Sequence, residues 1–163
     1  MTVDDVVVRV ASFHTRYVCV TGGEPLAQRD CRPLLGALCD AGYSVSLETS
    51  GSLDVGNIDP RVTKVMDLKA PGSGEGDRNR WDNLVHLGAH DEIKIVLADE
   101  TDYRWAREQI RSRGLHRICD VLLSPAHGIL PLNDLAEWIL RDALPVRLQL
   151  QLHKIIWGAS PGR

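Results

Sequence analysis

No stretch of the chain approaches the roughly 18 consecutive apolar residues that a membrane-spanning helix needs. No charged-then-apolar leader opens it either. Charge of one sign is not in excess: the formal net charge is −3 over 163 residues. That excludes the strongly basic surface of a nucleic-acid or membrane-surface binder. Internal repeats, low-complexity tracts and dividing linkers are also missing. The expectation is a soluble cytoplasmic protein that touches neither nucleic acid nor membrane, with residues 1–163 forming one domain.

Paired cysteine motifs are absent as well. Cys19, Cys31, Cys39 and Cys119 fit neither a zinc ribbon nor a C-x-x-C redox site, and nothing suggests an oxidising compartment. They are expected to be buried or half-buried structural thiols. Hydrophobic residues make up 44% and charged residues 25%, ordinary values for a domain able to bury a core.

What is present alternates between helical and strand patterns. Thr2 and Asp5 read as a capping box, followed by Val6, Val10 and Phe13 at helical spacing. Residues 17–21 (YVCVT) are β-branched and apolar and end at a Gly-Gly pair. Pro33 suits the first turn of a helix that buries Leu34, Leu35 and Leu38 and stops at Gly42. Residues 44–48 and 62–68 read as strands. A loop with Gly72, Gly74 and Gly76 follows, then a short helix with Trp81, Leu84 and Val85. Residues 92–97 are a strand, Asp102 is the expected cap of the next helix, and residues 121–124 are a strand. Asn133 is the expected cap of a helix with Leu135, Trp138 and Ile139, and the alternating 147–152 (RLQLQL) closes the set. The four tryptophans, Trp81, Trp105, Trp138 and Trp157, are expected to pack in or against the core.

About six strands alternating with helices predict an α/β fold with a mostly parallel sheet. With right-handed crossovers, the C-terminal strand ends share one rim, and ligands bind there. The first element, however, is a helix running into a strand, the second half of a βαβ unit. The expectation is therefore that a strand precedes it in a longer polypeptide, and that the unpaired edge leaves these residues marginally stable.

Residues 21–25 (TGGEP) follow an apolar strand. The glycines let backbone groups approach a ligand, the carboxylate of Glu24 can accept from an ammonium or hydroxyl, and Pro25 stiffens the exit. The Gly72 loop suggests a dinucleotide site, but its spacing is not G-x-G-x-x-G, so a rim loop is expected instead.

The string T-G-G-E-P resembles the S-adenosylmethionine (SAM) motif of radical SAM enzymes. With VCVTGGEPLAQ, LETSG, DLKAPGSGE, DEIKIVL, LLSPAHG and LQLQLHKIIW in order, the chain is identified as a member of the 7-carboxy-7-deazaguanine synthase family. The resemblance implies a partial (β/α) barrel-like open sheet of the radical SAM type, here lacking the first strand and the cluster loop. It implies a carbon–nitrogen lyase converting 6-carboxy-5,6,7,8-tetrahydropterin to 7-carboxy-7-deazaguanine on the route to queuosine. By the same resemblance, a reduced [4Fe-4S] cluster cleaves SAM to a 5′-deoxyadenosyl radical, which takes a hydrogen from the substrate. The ring contracts, and Mg²⁺ assists loss of ammonia.

Residue by residue, the resemblance places Thr21 and His153 on the pterin. It places Gly23, Glu24, Asp67, Leu68, Lys69, Ser124, Pro125, Ala126 and His127 around SAM. Asp67 departs from the serine of some relatives, and His127 from an acidic residue. Glu48, Thr49 and Ser50 line the same rim, near where a ribose would lie. No catalytic residue is assigned. The cluster cysteines and the Mg²⁺-binding threonine have no counterpart in this sequence, since its cysteines cannot form one local loop. A homodimer and a reducing donor such as flavodoxin or ferredoxin are the implied partners. The competing readings are a SAM- or pterin-binding module without radical chemistry and, more remotely, a nucleotide enzyme using the Gly72 loop.

Overall fold

A computed structural model describes residues 1–158, the side chain of His153 excepted. Strands β1 (Tyr17–Val20), β2 (Ser44–Thr49), β3 (Thr63–Lys69), β4 (Glu92–Leu97), β5 (Asp120–Pro125) and β6 (Arg147–Leu148) form one sheet in that order. Every neighbouring pair is parallel. The expected α/β architecture with an open parallel sheet therefore forms. Among the described residues the order contains no reversal, so these strands make no crevice of the kind where doubly wound sheets bind ligands. The strand ends form a single rim instead.

The helices are α1 (Val3–Ala11), α2 (Cys31–Asp40), α3 (Glu100–Ser112), α4 (Leu132–Arg141) and α5 (Leu152–Trp157). Strand alternation explains the layering. Val45, Leu47, Met66, Leu68, Ile93, Ile95, Leu97, Val121 and Leu123 are at most 3% exposed. On the β1–β2 side they meet Leu35 and Leu38 of α2, with Val7 and Val10 of α1 alongside. Toward β5 they meet Tyr103, Ala106 and Ile110 of α3 and Leu135 of α4. The intervening residues Ser46, Glu48, Val65, Asp67, Lys69, Glu92 and Lys94 face the other way and are half-buried or exposed. An all-parallel sheet is ordinarily covered on both faces. This one keeps a polar inner face open.

The capping box of α1 forms as expected, with Thr2 and Asp5 exchanging hydrogen bonds. Two other caps move. Asp99, not Asp102, caps α3 by accepting from the Asp102 amide at 2.9 Å, while Asp102 turns to the Gly72 loop. Pro131 precedes α4, and the Asn133 amide donates to Asp134 instead. The expected helix after the glycine loop is a 3-10 segment, Trp81–His86, a run too short to repay α-helix nucleation. Its Trp81 and Leu84 pack on the core, but Val85 is exposed. Trp105 and Trp138 pack as expected, whereas Trp157 stays half in water. Cys31, Cys39 and Cys119 are buried, but Cys19 lies exposed on β1.

The last expected strand is shortened most. Only Arg147–Leu148 pairs with β5. Gln149 donates once more to the Leu123 carbonyl, and the chain then turns into α5. Among the described residues β6 pairs with β5 alone, and Leu148 remains exposed. His153 therefore sits in a helix and not at a strand end; its side chain lies outside the described residues.

Between α3 and α4, the Asp142 carboxylate accepts from Tyr103, Arg107 and Arg141. The Arg141 guanidinium, then that of Arg107, holds this carboxyl well below the usual carboxylate range. Burial first, then the bond to Asp142, pushes the Tyr103 hydroxyl up to about 12. A carboxyl lowered on folding stabilises fully above its unfolded value, and the contribution is lost as pH falls through the folded one. Below about pH 4 the protein is expected to lose stability on this account. Asp142→Asn should be less stable at pH 7 and show a shallower acid loss, read as urea midpoints at pH 7 and pH 3. An unchanged acid slope would remove Asp142 from the explanation.

Candidate functional site

The rim is built first by the turn after β1. Gly22 and Gly23 have φ of 104° and 57°, left-handed values that side chains with a Cβ resist. The turn drops Glu24 against β2. One carboxylate oxygen accepts from the Leu26 amide at 3.1 Å and the Thr49 hydroxyl at 2.9 Å. The other accepts from the Ser50 amide at 2.8 Å and from the Ser50 hydroxyl. A carboxylate offers about four acceptor positions, and these donors fill them. Glu24 thus ties the glycine turn to the end of β2.

Beside that tie lies a cavity of about 100 Å³. It is lined by Thr21, Gly23, Glu48, Asp67, Lys69 and Lys94, among others. Lys69 Nζ lies 2.8 Å from Asp67 Oδ2, while Asp67 Oδ1 is buried with no hydrogen-bond partner. A second cavity of about 330 Å³ adjoins it through Asp67 and Lys69 and continues to Val96, Ala98 and Ala126. Leu68 also borders it, but its side chain is buried in the core, so its backbone faces the space. The Ser124 side chain is fully buried, and its hydroxyl is unpartnered.

Three side chains hold the rim loops in place. The Asn79 carboxamide exchanges two hydrogen bonds of 2.9 Å with the Lys69 backbone. Buried Asn83 accepts from the Val55 amide and donates to the carbonyls of Gly51 and Leu53. Asp102 accepts from the amides of Gly72 and Ala98. A Cβ at Gly72 would stand 2.6 Å from Asp102. That close approach, and not a dinucleotide, accounts for the glycine.

Of the residues expected at the site, Thr21, Gly23, Asp67 and Lys69 meet at the first cavity. Asp67, Leu68, Lys69 and Ala126 meet at the second. Pro125 is half-buried and His127 exposed, and neither lines these cavities. Sequence reasoning missed Lys94, Asn79, Asn83 and the new duty of Asp102. Strand alternation put Lys94 on the inner face; the loop contacts span 10 to 32 residues and left no local signal.

The unpartnered Asp67 oxygen, on a residue that lines both cavities, suits a ligand that carries a hydrogen-bond donor; Ser124, also unpartnered, is fully buried and lines neither. A [4Fe-4S] cluster is different. Among the described residues, no three His, Cys, Asp or Glu side chains converge on one point. Burial raises the thiols of Cys31 and Cys39 and pushes Cys119 up to about 12, away from the thiolate form that iron needs. These residues do not fit such a cluster.

No family model matches the chain. Among curated proteins, it is 47% identical over 162 residues to a 7-carboxy-7-deazaguanine synthase from Chlorobaculum tepidum. That match covers 97% of this chain and 73% of the relative. A 7-carboxy-7-deazaguanine synthase from Koribacter versatilis is 44% identical, over 85% of this chain and 67% of its own length. One from Methanospirillum hungatei is 36% identical, over 96% and 65%. The chain thus spans about two thirds to three quarters of these relatives. Among solved structures, QueE from Escherichia coli superposes with a TM-score of 0.72 at 22% identity, covering 93% of this chain and 64% of that one. SuiB from Streptococcus suis, bound to S-adenosylmethionine, gives 0.62 at 15% identity, covering 93% and 42%. These two likenesses establish the fold alone.

Proposed function

Because the chain belongs to the 7-carboxy-7-deazaguanine synthase family, we propose that its rim is the SAM- and pterin-binding half of that synthase. The reaction is the ring contraction of 6-carboxy-5,6,7,8-tetrahydropterin with loss of ammonia, in queuosine-type biosynthesis. Residues 1–163 act as one radical SAM core domain. The observation that carries the reading is spatial: motif residues from separate strands line two adjoining cavities at one rim.

In this reading the Thr21 hydroxyl, exposed at the mouth, meets the pterin. The bare backbone at Gly23 lets the methionyl end of SAM lie flat against the turn. Asp67, the Leu68 backbone, Lys69 and Ala126 enclose the rest, with Ser124, Pro125 and His127 beside Ala126 on the same stretch of chain. Glu24 acts by holding Thr49, Ser50 and the glycine turn in one arrangement. What SAM supplies when bound is radical initiation. The initiating [4Fe-4S] cluster and Mg²⁺ require ligands beyond the described residues. A second copy of the chain and a flavodoxin- or ferredoxin-like donor are the partners of this reading.

A second reading, a SAM- or pterin-binding module without turnover, is favoured by the lack of a converging cysteine set among the described residues. Two measurements separate them. Equilibrium dialysis is expected to show saturable binding of SAM and of 6-carboxypterin; absence of both would overturn the proposal. Anaerobic iron and sulfide reconstitution of these 163 residues is expected to give no [4Fe-4S] absorbance. Addition of the reduced donor and the tetrahydropterin then yields no product without a supplied cluster. Product formation without a cluster would overturn both readings.

A further inference from the structure

The small rim cavity holds two lysines and two carboxylates, and they are not equivalently paired. Lys69 is engaged, 2.8 Å from Asp67. Glu24 lies just behind and is filled by backbone and hydroxyl donors. Lys94 stands on the inner face of β4, directly across from Asp67 in the strand register. Its nearest carboxylate is Glu48, with Nζ and Oε2 4.0 Å apart, beyond hydrogen-bond distance. Among the described residues no side chain or carbonyl accepts from this ammonium. Yet the Lys94 side chain is only 17% exposed, against 47% for Glu48.

An ammonium that faces a cavity, with no protein group accepting from its three donors, can give them to an incoming ligand in place of water. Its one loose partner, Glu48, is itself half in water and can be released to solvent. We propose that Lys94 is the carboxylate anchor of this site: an incoming ligand carboxylate displaces Glu48 and takes a direct charge-assisted hydrogen bond from Nζ. The unsatisfied Asp67 Oδ1 beside it accepts from an N–H of the same ligand, so the pair favours ligands carrying both groups. A charge-assisted bond of N⁺–H to O⁻ closes to about 2.8 Å, against the looser pairing with Glu48. The inference rests on the functional reading above. Carboxylates occur both on the 6-carboxypterin nucleus and on the methionyl end of SAM, so the test separates these sources.

Binding is measured by titration calorimetry on the full chain, wild type and Lys94→Met, with four probes: 6-carboxypterin, pterin, SAM and decarboxylated SAM. Loss of one charge-assisted hydrogen bond corresponds to about a ten- to hundredfold weaker affinity. That loss is expected for the carboxylated member of one pair, with its decarboxylated partner unchanged, and the affected pair identifies the ligand. Glu48→Gln, which removes the competing carboxylate, is expected to tighten the same probe several-fold, and this arm stands if Lys94→Met fails to fold. Equal weakening of carboxylated and decarboxylated probes, or no tightening in Glu48→Gln, overturns the anchor role while leaving the site reading intact. A wild-type chain that binds none of the probes overturns the site reading and the anchor together.

Discussion

Glu24→Gln is expected to cost the protein at least a hundredfold in SAM affinity, although no ligand atom need touch residue 24. The carboxylate accepts from the Leu26 amide, the Thr49 hydroxyl, and the amide and hydroxyl of Ser50. A carboxamide keeps one acceptor oxygen and presents an NH₂ group to the remaining donors. Two or more half-buried donors then go unpaired or face another donor, at about 1–3 kcal/mol each. Gly22 and Gly23 take left-handed φ freely, so little besides this tie holds the turn in one shape. The turn therefore relaxes first, and the flat backbone surface is lost with it. Glu24→Ala should behave similarly, while Thr49→Val, which removes one donor and leaves the carboxylate, should lose far less. The measurement is SAM dialysis together with a thermal melt. Retention of wild-type affinity in Glu24→Gln would show that the tie does not shape the site.

Asp91→Ala is expected to be the most destabilising single change, with no direct effect on ligand contacts. Asp91 lies at the opposite end of the strands, at the entrance to β4. Its carboxylate sits 3.0 Å from Lys64 Nζ, with side-chain exposures of 0% and 7%. It also accepts from the Lys64 and Gly88 amides at 2.7 and 2.8 Å. Removing it strands a buried ammonium and two amides. Breaking one side of such a pair costs about 3–5 kcal/mol. For a domain of this size that corresponds to a fall in melting temperature of about 6–20 °C. Lys64→Met should cost less, because Asp91 retains its two amide donors and nearby His90. Equal losses from both variants would mean that the pair contributes through packing alone. Affinity for SAM, measured well below the melt, should be unchanged in Lys64→Met.

The legible parts of this molecule were those determined by neighbours in sequence. The Thr2–Asp5 box is decided within three residues, and the run EIKIVL could be read as β4 from its branched side chains. The glycine turn was visible for the same reason. Asp102 is the expected cap of α3; the Gly72 loop, closing from 30 residues away, takes its carboxylate, and the cap falls to Asp99. Residues 147–152 carry a strand pattern, yet only Arg147–Leu148 pairs with β5 before the chain turns into α5. The candidate site divides in the same way. Thr21 and Gly23 belong to a local string, and Lys94 is placed on the inner face by simple alternation. Its incomplete pairing with Glu48 exists only once β2, β3 and β4 lie side by side.

The strand order has a consequence for how the chain is made. Each strand from β2 onward settles beside the one that precedes it in sequence. Among the described strands, each new one therefore meets a partner already in place as the polypeptide leaves the ribosome, and none has to be threaded between two earlier ones. Assembly advances along one moving margin, in step with elongation at about 5–20 residues per second. The smaller cavity is complete once β4 has emerged and the larger one only after Ala126 and Ile129, so ligand binding reports on the later part of that progression and not on its start.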